Sequence, residues 1–598
     1  MPKQRFAWML AVAFLAASLA QAGTFYVDST VDEVDALPGD GACATSIGTC
    51  TLRAAIQEAN ALPGEDVIEV PTGDYVLTIP GSGEDAGSTG DLDITEDLVL
   101  TGAGLNQTLI DGAGLDRVFD IPWLFDLHSF PIVEFEGVTV LGGDAEGGGG
   151  ISVDSAELSI FDSAVEDNLG SGIDVLSATL LVSGSVVEGN SSDSPGGGIY
   201  ASPFSGVTIE DSMIMGNSAT GGGGVASSHS SDITIRDSVI SENSAIYTGG
   251  VSVSESQILV ERTTISGNSS QEGSGGIALW WADAEISSST VAGNQSDSGA
   301  GGLLLTQFTV ATIDNTTVSG NAGFEGGGAA FGDGNHVQIS NSTIVDNSAQ
   351  RGGGISAETG VPLVELENSI LARNSASLEG PDCFMELAQA PISSAGHNIL
   401  GDVSDCDFAA TLGDQVGMAP SPIDPLLGPL ADNGGPTSTH ALLLGSPAID
   451  AVPVADCTYD DDGNPDTPEV PLPTDQRGVS RPQGVACDVG AFELEQPTPT
   501  PTVTPTPAPT PTPTPLPVGD IPMCKMKAGG KQTTKLVPPS KVQIQLAKGL
   551  SIGECPDARN GRLMCKSKRG RLASVLVPES KVQRSLDKGL TLGVCRAP

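Results

Sequence analysis

Four aromatic side chains could form a strip that binds sugars. Trp280 and Trp281 are adjacent in the sequence, and Tyr200 and Phe308 follow glycine-rich turns at comparable places, as does His229. An aromatic ring offers a flat apolar face on which a sugar ring can stack. Aromatic residues make up only 4% of the chain, so a Trp pair stands out. We treat these residues as candidates for carbohydrate binding, with the filling of turn corners as the alternative.

Paired carboxylates are a second candidate for chemistry. Glycoside hydrolysis needs two facing carboxylates, and a polysaccharide lyase needs a basic group beside a neutralised carboxylate. Glu210 with Asp211, and Glu285 with Asp314, could pair by stacking of successive repeats. The alternative is that these acids only solvate an outer face, because any two acids on neighbouring repeats lie close by construction.

Basic groups, which lyase chemistry needs, are scarce. Residues 23–519 contain no lysine, and the arginines of the repeats are scattered singly: Arg236, Arg262, Arg351 and Arg373. Arg236 stands seven residues before a recurring Asn, Asn243, and Arg262 stands six before the next, Asn268. We therefore expect the two side chains to point to opposite faces of the repeated strands. This scarcity favours a non-catalytic protein, with an enzyme as the alternative.

One acidic run could hold a metal ion. Asp460, Asp462, Asn464 and Asp466 offer hard oxygen ligands to Ca²⁺, but Gly463 stands at the wrong place for an EF-type loop. A solvated acidic loop is the simpler interpretation. We expect no cofactor, with Ca²⁺ at this run as the alternative.

These residues are positioned by a repeat of about 26 residues, which a turn Asn marks. Eight residues before each Asn, and again three before it, stands an aliphatic residue; five before it stands Ser or Thr. Such fixed registers mean that like residues stack on like, as in a solenoid. The turn residues are Asn168, Asn190, Asn217, Asn243, Asn268, Asn294, Asn321, Asn347 and Asn374.

The repeated element is a short β-strand. β-Branched residues dominate, alternation is strong, and Gly clusters after each Asn allow the chain to turn. No helical periodicity appears within the repeats. We therefore predict an all-β fold, a right-handed parallel β-helix of the pectin-lyase-like kind, in which Asn side chains form a ladder.

The ends of the rod need covers, because open strand edges invite pairing. Residues 50–60 predict a short helix with Leu52, Ala55, Ile56 and Ala59 on one apolar face and Thr51 as N-cap. This helix is expected to lie as a lid within an N-terminal cap and first coils at 23–131, ahead of the repeats at 132–380. Residues 381–495 lose the period and predict a C-terminal cap.

The termini and the charge distribution indicate export. Residues 1–22 have the form of a signal peptide, and no later stretch is apolar enough to span a membrane. A Pro/Thr linker at 496–518 leads to two basic, Cys-bounded repeats at 519–598. The body carries 70 acidic residues against eight arginines, which disfavours nucleic acid as its partner, whereas the tail carries 16 basic and five acidic residues.

Ten cysteines fall into local pairs without metal-binding spacing, so disulfides are expected in an oxidising compartment. Pairing of neighbours is the simplest arrangement, although sequence alone does not fix it. The predicted pairs are Cys43–Cys50, Cys383–Cys406, Cys457–Cys487, Cys524–Cys555 and Cys565–Cys595.

Two segments resemble known families of exported bacterial proteins. Residues 50–60, Cys-Thr-Leu-Arg-Ala-Ala-Ile-Gln-Glu-Ala-Asn, resemble the Cys-Ser-Leu-Arg-Glu-Ala (CSLREA) motif of bacterial exported β-helix proteins, with Thr51 for Ser and Ala54 for Glu. Residues 423–493, with Asp424-Pro-Leu-Leu-Gly-Pro, His440, Asp475-Gln-Arg-Gly and Arg481-Pro482, resemble a choice-of-anchor Q domain. The resemblance implies attachment modules in the tail, but it implies no reaction.

The sequence thus predicts an extracellular or bacterial cell-surface protein that presents a repetitive surface for adhesion or glycan binding. Its expected partners are surface glycans or the surface of a host or neighbouring cell. An acidic envelope component is expected to bind the basic tail. The alternative function is a carbohydrate-active enzyme, a polysaccharide lyase or a glycoside hydrolase.

Overall fold

The repeat folds into a solenoid in which each regular coil contributes one strand to each of three long parallel sheets. The computed structural model describes residues 22–123, 130–357, 362–385, 392–459 and 470–495, and the strands between 521 and 592. Sheets 1 and 3 have 14 strands each, and sheet 2 has 12. The coils begin well before the region where the Asn marker is regular, since the strand Thr24–Tyr26 already pairs with Asp66–Glu69.

The strands follow one another in the order sheet 2, sheet 1, sheet 3 within each regular coil. The strands of sheet 1 are Thr24–Tyr26, Asp66–Glu69, Leu98–Thr101, Ile132–Glu136, Glu157–Phe161, Thr179–Ser183, Gly206–Glu210, Asp232–Arg236, Gln257–Glu261, Asp283–Ser287, Val310–Asp314, His336–Ser340, Leu363–Glu367 and Ser393–Gly396. Those of sheet 2 are Leu92–Asp93, Phe119–Ile121, Ile151–Asp154, Ile173–Leu176, Ile199–Ala201, Val225–Ser228, Val251–Ser254, Ile277–Trp280, Leu303–Thr306, Ala329–Phe331, Ile355–Ala357 and Cys383–Met385.

Sheet 3 consists of shorter strands that end just before the turn Asn. They are Gly73–Val76, Thr108–Asp111, Thr139–Leu141, Ala164–Glu166, Val186–Glu188, Met213–Met215, Val239–Ser241, Thr264–Ser266, Thr290–Ala292, Thr317–Ser319, Thr343–Val345, Ile370–Ala372, Ile399–Leu400 and Gln415–Val416. Beyond the Asn, short strands add narrow sheets at Ser218–Ala219, Ser244–Ala245, Ser269–Ser270 and Gln295–Ser296, and at Ser348–Arg351 and Ser375–Glu379.

The core runs through the middle of the coils, as the registers predict. The aliphatic residues eight and three positions before each Asn point inward and are buried, for example Ile209 and Ile214 in one coil and Ile235 and Ile240 in the next. Each pairs with its counterpart in the neighbouring coil. Like residues therefore stack on like throughout the core.

Two polar ladders follow the corners that the sequence marks. From Asn190 onward, each turn Asn accepts two hydrogen bonds from the Asn of the preceding coil through its Oδ1, as Asn243 does from Asn217. Oδ1 of the first, Asn168, accepts from the backbone N of Gly143, and the last, Asn374, donates to Asp382. From Ser185 onward, each Ser or Thr five positions before the Asn accepts a bond from the backbone N of its counterpart in the preceding coil. These bonds satisfy buried backbone groups at the corners, where strand pairing is interrupted.

The predicted lid helix is present at Leu52–Ala61. Thr51 caps it by accepting from the backbone N of Ala54, and Leu52, Ala55, Ile56 and Ala59 join the core. Arg53 is fully buried and binds Asp32 at 2.6 Å and the carbonyls of residues 87, 90 and 91. The helix is therefore fixed to the loop that precedes the first strand of sheet 2.

Residues 423–459 and 470–495 pack along the outer face of sheet 3. They contain the strands Leu427–Ala431, Thr439–Leu442, Thr458–Tyr459 and Val470–Pro471 and the 3₁₀ turn Val454–Asp456. Gln476 is buried and bonds to Thr290 and Thr317, and His440 bonds to Ser319. The sequence carries a sign of this contact, because the residue six positions before the turn Asn is itself Asn in the last three coils of the repeat. Asn315, Asn341 and Asn368 each donate to a carbonyl of the 423–495 segment.

Three of the predicted disulfides are present: Cys43–Cys50, Cys383–Cys406 and Cys457–Cys487. The other two predicted pairs lie outside the side chains that the structure describes. Within the described residues, no helix is long and apolar enough to cross a membrane.

The C-terminal unit contains two copies of one three-stranded antiparallel arrangement. The first consists of Ile521–Met526, Gln532–Val537 and Ser551–Ile552, and the second of Gly561–Lys568, Arg571–Pro578 and Thr591–Leu592. Cys524 pairs with Ser551, and Cys565 pairs with Thr591, at equivalent places. The sequence repeat is thus also a structural repeat.

Candidate functional site

An aromatic corner, which we define as Trp280, Trp281 and Phe308, lies where sheet 2 turns into sheet 1. Trp280 ends its strand between Ser254 and Thr306 of the neighbouring coils. Trp281 follows in a left-handed conformation with φ 47° and is 51% exposed, and Phe308, with φ 64°, is 68% exposed. The backbone N of Trp281 donates to the carbonyl of Gln307 in the next coil. Trp281 and Phe308 therefore occupy the same corner of adjacent coils.

Tyr200 does not join this corner, whereas His229 stands at the same corner two coils before Trp281. Tyr200 lies on sheet 2, paired with Asp174 and Ala226, three coils before Trp280 and two positions away from its register. Its hydroxyl is 3.3 Å from the hydroxyl of Ser228. His229 stands at the corner, and its Nε2 is 3.8 Å from a carboxylate oxygen of Glu255. The structure therefore places His229 at the same corner as Trp281 and Phe308, and it separates Tyr200 from them.

An acidic cluster at the N-terminal end of sheet 2 was not predicted. Asp93 and Asp120 are direct partners on adjacent strands and point outward, and Asp85 reaches them from the loop that precedes the strand. One oxygen from each of the three carboxylates lies within 4.8 Å of the others. Arg117 lies beside them, with its Nη1 2.9 Å from Asp120 and its Nε 3.6 Å from Asp91. These coils precede the Asn marker, so counting back from the Asn could not bring their residues into register.

The protonation of this cluster is strongly perturbed. Burial, and after it the neighbouring charge of Asp91, raises the pKa of Asp93 to about 8. Burial and then the charge of Asp116 raise the pKa of Asp91 to about 7. Asp174 lies in register with Asp120, two coils further along sheet 2, and burial raises the pKa of Asp174 to about 6. Groups perturbed in this way, in one place, are typical of functional sites.

The predicted carboxylate pairs do not form a catalytic pair. Glu210 makes an ion pair with Arg236 at 3.5 Å, whereas Asp211 follows in a left-handed turn conformation. Asp314 pairs in register with Ser287 rather than with Glu285, and it accepts bonds from Ser340 and Asn341. Burial raises the pKa of Asp314 to about 6. Its hydrogen bonds and its setting beneath the 423–495 segment indicate a structural role.

The expectation that Arg236 and Arg262 point to opposite sides is wrong. Both contact Glu261, and Arg262 also binds Asp237 at 2.7 Å. The reason is that Arg262 adopts a left-handed conformation, with φ 47°, which turns its side chain back to the outer corner. All eight arginines of residues 22–495 make ion pairs, including Arg351 with Glu325 and Arg373 with Asp346.

Comparison with a family model supports the fold of the repeats. Residues 128–295 match the family model of the right-handed β-helix region. The rod is a right-handed parallel β-helix. Among solved structures, the chain aligns with pectate lyase Pel9A at a TM-score of 0.35 and 13% identity, over 80% of this chain and 97% of that one. It aligns with the A-module of the Azotobacter vinelandii mannuronan C-5 epimerase AlgE4 at a TM-score of 0.27 and 15% identity, over 57% of this chain and 94% of that one. No curated protein sequence matches the chain.

The β-helix therefore carries two chemically different features in the neighbourhood of sheet 2. The acidic cluster lies at the N-terminal end and holds carboxylates with one arginine. The aromatic corner lies about seven coils further along and offers exposed rings. The metal candidates Asp460, Asp462, Asn464 and Asp466 lie outside the described residues.

Proposed function

We propose that this β-helix is a secreted or cell-surface protein that binds polysaccharide at the aromatic corner without cleaving it. The observation that carries this proposal is the exposure of Trp281 and Phe308 at the same corner of adjacent coils. Coils repeat at the strand spacing of about 4.8 Å. A sugar chain that runs parallel to the rod axis would meet the two rings in succession, with Trp280 beside them.

The surroundings of the corner favour binding over cleavage. The nearest arginines in the sequence, Arg262 and Arg351, are both engaged by acidic residues. A lyase needs a basic group to remove a proton from the sugar, and residues 23–519 contain no lysine. The side chains beside Trp280 on neighbouring coils are Ser254 and Thr306, which can form hydrogen bonds to a ligand. The acid in register with Trp281 in the preceding coil is Glu255, and one of its oxygens lies 3.8 Å from Nε2 of His229.

Export and attachment form part of the same proposal. The N-terminal segment has the order of a signal peptide, with Lys3 and Arg5 before an apolar run. Three disulfides stabilise the described part of the chain, and disulfides persist in oxidising compartments. Together with the resemblance to CSLREA-type and choice-of-anchor Q proteins, these features support a bacterial surface protein whose basic tail binds an acidic envelope component.

Polysaccharide binding can be tested on a panel of immobilised pectins, alginates and glycosaminoglycans. Trp281→Ala with Phe308→Ala should weaken binding about 10-fold or more, because each ring contributes roughly 0.5–1.5 kcal/mol beyond its buried area. Phe130→Ala removes a ring that is 70% exposed elsewhere and is the matched control. Binding that is equal in the double variant and the control would contradict the proposal.

Attachment can be tested by removing residues 496–598. We expect the truncated protein to move from the cells to the medium, because the basic residues lie in the deleted tail. The rod itself should remain folded. Partition between cells and medium, with circular dichroism of the released protein, measures both effects. An unchanged partition would refute a role of the tail in attachment.

A carbohydrate-active enzyme is the second candidate, and the acidic cluster is the observation that favours it. Asp120 is half-buried beside Arg117, and its strand partner Asp93, whose pKa is raised to about 8, lies beneath the loop at residues 80–91. Incubation with the same polysaccharides should then produce new chain ends, and Asp93→Asn should abolish them. If the wild-type protein binds a polysaccharide and releases no new chain ends, the binding function is supported instead.

A further inference from the structure

The loop at residues 80–91 and the first two strands of sheet 2 bring three carboxylates to one point. Asp93 and Asp120 are held rigidly as partners on adjacent strands, and Asp85 is exposed on the loop. Their nearest oxygens all lie within 4.8 Å of one another. We propose that Asp85, Asp93 and Asp120 bind a divalent cation, with Ca²⁺ preferred.

The state of Asp93 points to a ligand independently of the clustering. Its side chain has no exposed surface, yet only Oδ2 has a partner, the backbone N of Gly87 at 2.7 Å. Its Oδ1 is buried and has no hydrogen-bond partner among the described residues. A buried carboxylate oxygen without a partner costs free energy, so such oxygens normally meet a donor or a cation.

The surroundings of the three ligands hold further carboxyl groups but little positive charge. Asp91 and Asp116 lie beside the ligands, and Oδ1 of Asp91 is likewise buried without a hydrogen-bond partner among the described residues. Arg117 is the positive group in contact, and it reaches two of these five carboxyl groups, those of Asp91 and Asp120. Since its Nη1 binds one oxygen of Asp120, the second oxygen of Asp120 stays available to an ion.

The ligand set favours Ca²⁺ over other ions. All three donors are carboxylates, which suit hard cations, and no His or Cys belongs to the group, which disfavours zinc. Ca²⁺ accepts six to eight oxygens in flexible geometry and takes the remainder from water, whereas Mg²⁺ demands a near-ideal octahedron. A site built from two rigid strands and one exposed loop fits the more flexible ion.

The ion would tie the loop to the coils and thereby to the lid. The same loop receives the lid helix through the carbonyl of Gly87, which accepts from Arg53 and Gln57 at 3.0 Å each. Asp85 is the ligand contributed by the loop, and the other two ligands belong to the first strands of sheet 2. Cation binding should therefore stabilise the lid without any contribution from the aromatic corner.

Binding can be measured on the full-length protein after removal of metal with a chelator. Calorimetric titration with CaCl₂ should show a site that Asp93→Asn abolishes and that Asp85→Asn weakens about 10-fold or more. Asp297→Asn changes an exposed acid of another coil and should bind as the wild type does. The double variant Asp460→Asn with Asp462→Asn separates this site from the other acidic run and should also retain it. Absence of binding at millimolar Ca²⁺, or unchanged binding in Asp85→Asn and Asp93→Asn, would overturn the proposal.

Hydrogen exchange of residues 80–91 provides a second readout. Ca²⁺ should slow exchange in this loop in the wild type and in Asp297→Asn, but not in Asp85→Asn. Because Asp85 is exposed, its replacement should leave the fold intact. Equal exchange with and without Ca²⁺ in the wild type would contradict the proposed cross-link. No sugar is present, so the outcome is independent of polysaccharide binding.

Discussion

Replacing Asn268 by alanine should remove four hydrogen bonds from the middle of the Asn ladder. Oδ1 of Asn268 accepts from the backbone N and from Nδ2 of Asn243, both at 3.0 Å. Its Nδ2 donates to the carbonyl of Ile240 at 3.0 Å and to Oδ1 of Asn294 at 2.9 Å. Asn268 has no exposed surface, so water cannot replace these bonds without entering the corner.

The expected loss in the free energy of unfolding is about 3–5 kcal/mol. A typical hydrogen bond contributes about 1 kcal/mol net, and buried groups left without partners cost about 1–3 kcal/mol each. Two groups lose their only bond in the ladder: the backbone N of Asn243 and the carbonyl of Ile240. Nδ2 of Asn243 keeps its bond to Ile214, and Oδ1 of Asn294 keeps the backbone N of residue 268, which moderates the cost.

Urea denaturation followed by circular dichroism would measure this loss, and hydrogen exchange would locate it. In a solenoid each coil contacts only its neighbours, so increased exchange should centre on the coils of Asn243 and Asn294. Gln257→Ala, at an exposed strand position of the same region, is the control and should change stability by less than about 0.5 kcal/mol. A loss below about 1 kcal/mol for Asn268→Ala, or exchange that rises evenly along the rod, would refute the reasoning.

Two further predictions concern buried charges. Arg53→Ala should destabilise the lid by about 3–5 kcal/mol, because it leaves Asp32 buried without its ion pair. Increased proteolysis at the N-terminal end of the variant would show this loss, and resistance equal to that of the wild type would contradict it. The second prediction concerns Asp314, whose pKa of about 6 in the folded protein exceeds the unfolded value of 3.8. The folded protein therefore binds this proton more tightly than the unfolded chain does. As a result, the free energy of unfolding falls as pH rises from about 4 to about 6. The stability of the wild type relative to Asp314→Asn should therefore fall by about 1–2 kcal/mol across that window, and a constant difference would contradict this assignment.

Most of the fold could be predicted from the sequence because the repeat is local. The residues eight, five and three positions before each turn Asn recur at every coil, so one register predicted the core, the Ser/Thr ladder and the Asn ladder together. The lid helix was equally readable from Thr51 and the spacing of its apolar face. In each case, residues near one another in sequence carry the whole pattern.

One ladder was missed for lack of a constant residue type. At the corner between sheets 2 and 1, Ser205, Ser231 and Ser256 bond from coil to coil, and Thr309 and Asn335 do so further along. Between them the position is Ala282, which has no side-chain acceptor. A sequence scan for an invariant residue does not detect a position that varies in this way.

The candidate sites depended on contacts that the repeat does not encode. Asp85, Asp93 and Asp120 meet because a loop folds back on two coils that precede the Asn marker. Only the three-dimensional register also shows that Trp281 and Phe308 share a corner whereas Tyr200 lies elsewhere. The sequence by itself determined the inward face, because burial requires the same residue type at every coil. The tertiary structure decided the outer face, since that face tolerates many residue types, and its chemistry depends on which loops and side chains fold onto it.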